Sequence, residues 1–140
     1  MCISDIINTA IGAFLGFVFG FLLEMIIENQ KRQNSIENIK IELNDILITL
    51  EKTKDDFTVL NNFYVPVWNA VLYTGDILSY IKKPYYKQLI MIYSKIIYLN
   101  NLESKVDEKD NNFNENMSLI IKTRRDLYDR IKELKINSLK

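Results

Sequence analysis

The chain has 140 residues, with 18 Lys or Arg balanced by 18 Asp or Glu and no formal net charge. That balance argues against a nucleic-acid binder, which needs a concentrated basic face. Histidine is absent and Cys2 is the single cysteine, so the commonest general base, the commonest transition-metal ligand, a disulfide framework and a thiolate cluster are all missing.

The first element is the run Ile6 to Ile27, about 22 residues in which only Asn8, Thr9 and Glu24 are polar. It is long enough to cross a bilayer as one helix. A cleaved secretory signal would have basic residues ahead of a shorter apolar core and a small-residue cleavage site after it. Here MCISD precedes the run and EMIIENQKR ends it, so residues 1–27 are expected to stay attached as a transmembrane anchor. Residues 28–140 then form a polar second domain, where 18 basic residues meet 16 acidic ones, a balance of +2. Lys31 and Arg32 follow the run closely, and the positive-inside rule places the C-terminal domain in the cytoplasm. The expected location is the cell membrane, crossed once, with the N-terminus outside.

Gly12, Gly16 and Gly20 recur every four residues within the anchor. On a helix they form a small-residue ridge that lets a second backbone approach, which points to a homo-oligomer in the lipid bilayer. Phe14, Phe17 and Phe21 form another stripe. Glu24 and Glu28 extend the four-residue row. Glu24 reads either as a carboxylate at the headgroup level, screened by Lys31 or Arg32, or as part of a charged ring at the inner mouth of an oligomer.

From Glu28 to about Leu60 the chain has no Gly or Pro. Ile36, Ile39, Leu43, Ile46, Leu50, Thr53, Phe57 and Leu60 keep a 3-4 spacing, and Glu37, Lys40, Glu42, Glu51, Lys52, Lys54 and Asp55 are expected on the other faces, which predicts a long amphipathic helix. Asn34-Ser35 is its one candidate break. Ile41, Leu47 and Ile48 widen the apolar stripe, favouring packing in a bundle over a narrow coiled-coil seam. Asn61-Asn62 end this helix, and Pro66 opens a short one over Val67 to Thr74, closed by Gly75. Asp76 caps a further turn, Ile77 to Lys82. Trp68, Val71 and Leu72 make the short helix apolar on nearly every side, so it should wedge into the bundle. Pro84 opens a third helix, Tyr85 to about Val106, with Leu89, Ile92, Tyr93, Ile96, Leu99 and Asn100 inward. After a charged turn, Asn111 or Asn112 caps a last helix whose inward row is Phe113, Met117, Ile120, Arg124, Leu127, Ile131 and Leu134. No β-alternation occurs, so the fold class is all-α: one transmembrane helix, a long amphipathic helix and an antiparallel three- to four-helix bundle containing the short Trp68 helix.

Trp68, Ala70, Gly75 and Ile77 form a W-x-A…G-x-I segment, and Tyr93, Ile96, Leu99 and Asn100 a Y-x-x-I-x-x-L-N helix. On these motifs, over most of residues 1–105, the chain resembles small, largely uncharacterised prokaryotic single-pass membrane proteins with a cytoplasmic helical bundle. The resemblance implies a fold and no activity. It carries an association with defence or stress systems.

Trp68 reads as core packing, or as one wall of a pocket with Tyr93 in which Asn69 and Asn100 supply polar contacts. Clustered tyrosines such as Tyr80, Tyr85 and Tyr86 also suit a surface for a protein partner. Arg124, at an inward position, either pairs with a carboxylate across the bundle or marks a pocket for an anion. Arg125, Lys122 and Arg130 lie near it as a modest basic patch. No nucleophile–base pair and no metal or cofactor set is evident, so the chain is expected to be non-enzymatic. The expected role is a self-associating, membrane-anchored interaction or sensor module. The alternative is a pore- or leak-forming effector gated by its bundle.

Overall fold

Four helices follow in chain order: α1 Ile3–Thr53, α2 Pro66–Thr74, α3 Lys83–Glu103 and α4 Phe113–Glu133. The computed structural model describes residues 3–56, 58–74, 81, 83–106 and 112–134, and among them no strand occurs. The protein is all-helical, with one long apolar helix at its N-terminal end. The chain divides within α1 into two compact units, Met1–Asn34 and Ser35–Lys140.

The first unit has no interior. Phe14, Phe17, Phe19, Phe21, Leu22 and Leu23 are all exposed. The most apolar 18-residue stretch of α1 has a mean hydropathy of 2.3, and none of it is buried. By length and composition this helix is able to cross a membrane.

The second unit has a buried core. Ile36, Ile39, Leu43, Ile46 and Leu50 of α1 are buried, as are Leu89, Ile92, Ile96 and Leu99 of α3 and Met117, Ile120, Leu127 and Ile131 of α4. All belong to one cluster, because 3-4 spacing turns each row onto a single helix face. The backbones of α3 and α4 approach each other most closely. Trp68 and Val71 of α2, with Phe63 and Val65 of the preceding segment, complete the cluster. Each such side chain contributes on the order of 1.5–3 kcal/mol on leaving water.

Several boundaries differ from expectation. The long helix stops at Thr53 rather than running on to Leu60, and Leu60 is exposed. Asp56 accounts for the stop: its Oδ1 accepts the Thr58 amide and hydroxyl, both at 2.7 Å. This local turn competes with the helical ladder. The Thr58 hydrogen bonds also hold the Asp56 carboxyl below the usual carboxylate range. Ile41 and Ile48 do not widen the core stripe; both point outward and only Leu47 packs against the core. Leu72 and Tyr73 are exposed, so α2 buries one face only. Asn112 precedes α4 but makes no side-chain capping bond. Phe57, Gly75, Asp76, Ile77 and Asn111 lie outside the described residues.

Inside and outside on α1 are separable by substitution. Ile39→Ala is expected to cost about 2–5 kcal/mol in chemical denaturation, whereas Ile41→Ala, 53% exposed, should change stability by no more than about 0.5 kcal/mol. Equal losses would contradict the assigned faces.

Candidate functional site

Polar side chains from three helices converge on the segment between α1 and α2. The first group centres on Glu42 of α1, which is 8% exposed. Pro66 opens α2 and has no N–H, so Val67 and Trp68 present the next unpaired helical donors. Both donate to Glu42, at 2.9 Å to Oε2 and 3.3 Å to Oε1. A carboxylate from another helix thus caps α2, where the helix dipole also favours negative charge. Tyr93 Oη of α3 donates to the same Oε1 at 2.8 Å. The rings of Trp68 and Tyr93 stack with centroids 4.2 Å apart and planes 3° from parallel. Burial, and then the Glu42 charge, push the Tyr93 phenol far above its ordinary range. Tyr93 therefore stays a neutral donor and is no candidate base.

The second group centres on Arg124 of α4, which is fully buried. Its Nε donates to Glu103 Oε1 at 2.9 Å. Its Nη1 donates to the carbonyls of Thr53 and Asp56, each at 2.9 Å, and Nη2 donates to the Val59 carbonyl. One guanidinium thereby closes the C-terminal end of α1 and gathers the turn beyond it. Glu103 Oε2 accepts the Asn61 amide. Burial pushes the Glu103 carboxyl above its ordinary range, against the pull of Arg124. Farther along, Asn100 Oδ1 accepts the Phe63 amide at 2.9 Å while its Nδ2 donates to the Phe63 carbonyl at 2.8 Å. No buried side-chain nitrogen or oxygen among the described residues lacks a partner.

This arrangement sorts the residues singled out in the sequence. Trp68 and Tyr93 meet, Asn69 is exposed, and Asn100 is taken up by the Phe63 backbone. Arg124 pairs with the Glu103 carboxylate and donates to three backbone carbonyls. Its neighbours Arg125 and Arg130 pair with Asp55 and Asp126, so the basic patch is largely neutralised. Gly12, Gly16 and Gly20 face open space, and Glu24 and Glu28 are exposed. Among the described residues, no three Cys, Asp or Glu side chains are grouped to hold a metal.

Glu42, expected on an outer face of the long helix, is instead buried, and Glu103 was not singled out in the sequence. Glu42 sits three residues after buried Ile39, and Glu103 four after buried Leu99. Each is a carboxylate on an inward row, and that placement was the available signal.

Beside Glu42 lies a groove of about 430 Å³ between α1 and the Asn61–Val67 segment. Ile41, Ile46, Phe63 and Val67 line it together with the carboxylates of Glu42 and Asp45.

Two substitutions test these clusters. Arg124→Leu is expected to cost about 3–5 kcal/mol, because it strands Glu103 in the interior. The double variant Arg124→Leu with Glu103→Leu should remain well below wild type, since the Asp56 and Val59 carbonyls and the Asn61 amide lose these partners, while the Thr53 carbonyl keeps only the Asp56 amide. Full recovery would show that the ion pair alone mattered. At the surface, burial alone would raise the Asp126 carboxyl, but hydrogen bonds from Lys95 and Arg130 outweigh it and lower it below 3.8. A depressed carboxyl stabilises the fold above its unfolded value and loses that contribution as pH falls through the folded value. Asp126→Asn should therefore cost up to about 1 kcal/mol at pH 7, and the gap to wild type should close below pH 3.8. A gap independent of pH would contradict the assignment.

Comparison with protein-family models, with curated proteins and with solved structures finds no match.

Proposed function

We propose that the chain is a non-enzymatic, membrane-anchored helical module that acts by binding. One observation carries this reading: an apolar helix segment with none of its surface buried precedes a unit that has a buried core of its own. Leaving such side chains in water costs on the order of 1.5–3 kcal/mol each, and a bilayer removes that cost. The second unit is then a helical bundle held at the membrane. All 18 Lys and Arg residues follow the apolar run, with Lys31 and Arg32 nearest to it, which favours the cytoplasmic side for this unit. Binding is favoured over catalysis because Glu42, Glu103, Arg124 and Asn100 are all engaged in holding backbone. The ridge of Gly12, Gly16 and Gly20, open on one face, suits self-association of the anchors. A second reading, a leak- or pore-forming assembly, draws on Glu24, a carboxylate exposed within the apolar segment.

Full-length protein is expected in the membrane fraction and resistant to extraction at alkaline pH; release into the soluble fraction would overturn the anchor. Cross-linking in membranes should give oligomer bands that Gly16→Ile abolishes, and an unchanged band pattern would remove the self-association. A potential-sensitive dye separates the second reading, which requires depolarisation that Gly16→Ile suppresses.

A further inference from the structure

We infer that the groove beside Glu42 is a site for a small organic cation, an apolar or aromatic body carrying an amine. This rests on the reading of the second unit as a binding module, and is independent of the anchor. At about 430 Å³ the groove falls within the range of small-molecule sites, roughly 300–1,000 Å³. Its apolar lining suits a hydrophobic body.

The charge of the groove has one sign. Glu42 and Asp45 line it, and no described lining residue is Lys or Arg. Glu42 is the sharper observation. It is 8% exposed, accepts three hydrogen bonds from neutral donors, and meets no cation among the described residues. The N–H dipoles at the start of α2 offset its charge only in part. A buried carboxylate without a counter-ion attracts a cation strongly, because the low local dielectric does little to screen it. The other buried carboxylate, Glu103, has Arg124 as its counter-ion, so the lack at Glu42 is particular to this groove.

Asp45, three residues along α1, is exposed and likewise without a cation among the described residues. Tyr64 at the rim is 81% exposed and offers a ring face to an ammonium group. An anion would be repelled here. A neutral ligand of the same shape would desolvate the carboxylates with nothing in return. A metal ion is disfavoured, because no third metal-binding side chain among the described residues joins these two.

The test titrates 2-phenylethylamine, 2-phenylethanol and 3-phenylpropionate into the full chain in zwitterionic nanodiscs, with empty nanodiscs as blank. Fluorescence of Trp68, the only tryptophan and bonded through its amide to Glu42, reports occupancy. The amine is expected to saturate with an affinity at least about tenfold above the alcohol, and the carboxylate should not bind. Asp45→Asn, a surface change that should not disturb folding, should weaken the amine about three- to tenfold; Glu42→Gln, which keeps an acceptor for α2, should weaken it further. Equal binding of amine and alcohol, or an amine affinity unchanged in Asp45→Asn, overturns the site. Absence of any binding also overturns it, while membrane fractionation and cross-linking would still stand as separate tests of the module.

Discussion

The second unit depends on a buried charge placed where the backbone has run out of helix. Arg124 sits at 0% exposure, and its planar fork reaches one carboxylate and three carbonyls at once. An arginine in the interior is tolerated only when its donors are satisfied. Here they satisfy the carbonyls of Asp56 and Val59, and add a second donor to the Thr53 carbonyl, which also accepts the Asp56 amide. The core rows supply most of the hydrophobic drive, but they do not specify the path of the chain from α1 to α2. Arg124, Glu103, Asn100 and Glu42 do, by taking the place of a backbone partner at successive points.

This division explains what was legible in the sequence. Inward rows on α1, α3 and α4 follow from 3-4 spacing, and Ile39, Leu99 and Leu127 lie where that spacing puts them. Pro66 marks the start of α2 because its missing N–H costs nothing there. The end of α1 was misplaced by two turns, because apolar spacing continues through Leu60 while a short-range bond from Asp56 to Thr58 decides the matter. Ile41 and Ile48 misled for a related reason: hydrophobicity alone does not say which face a residue is on. Asn69 and Asn100 were expected as polar contacts of a pocket between the short and third helices, yet Asn69 is exposed, and Asn100 lies where the Phe63 backbone needs both its donor and its acceptor.

The two units contribute different things to the proposed role. The first offers apolar surface with none of it buried, a composition that makes sense in lipid. The second offers a fixed polar framework and, at its edge, a groove with uncompensated negative charge. The same carboxylate, Glu42, caps α2, orders Tyr93 and Trp68 and faces that groove. Its neutral donors stabilise it enough for folding and leave its charge open to a cation.

The most direct measurement is hydrogen exchange of the backbone amides of Asn61, Phe63, Val67 and Trp68 in the full-length protein. These donate to Glu103, Asn100 and Glu42 respectively, the last receiving both Val67 and Trp68, and Asn61 and Phe63 lie outside any helix. Protection comparable to that of the α3 and α4 core is expected, together with its loss at Asn61 in Arg124→Leu. Exchange of Asn61 and Phe63 at the rate of an unstructured chain would contradict a segment held in place by buried polar side chains.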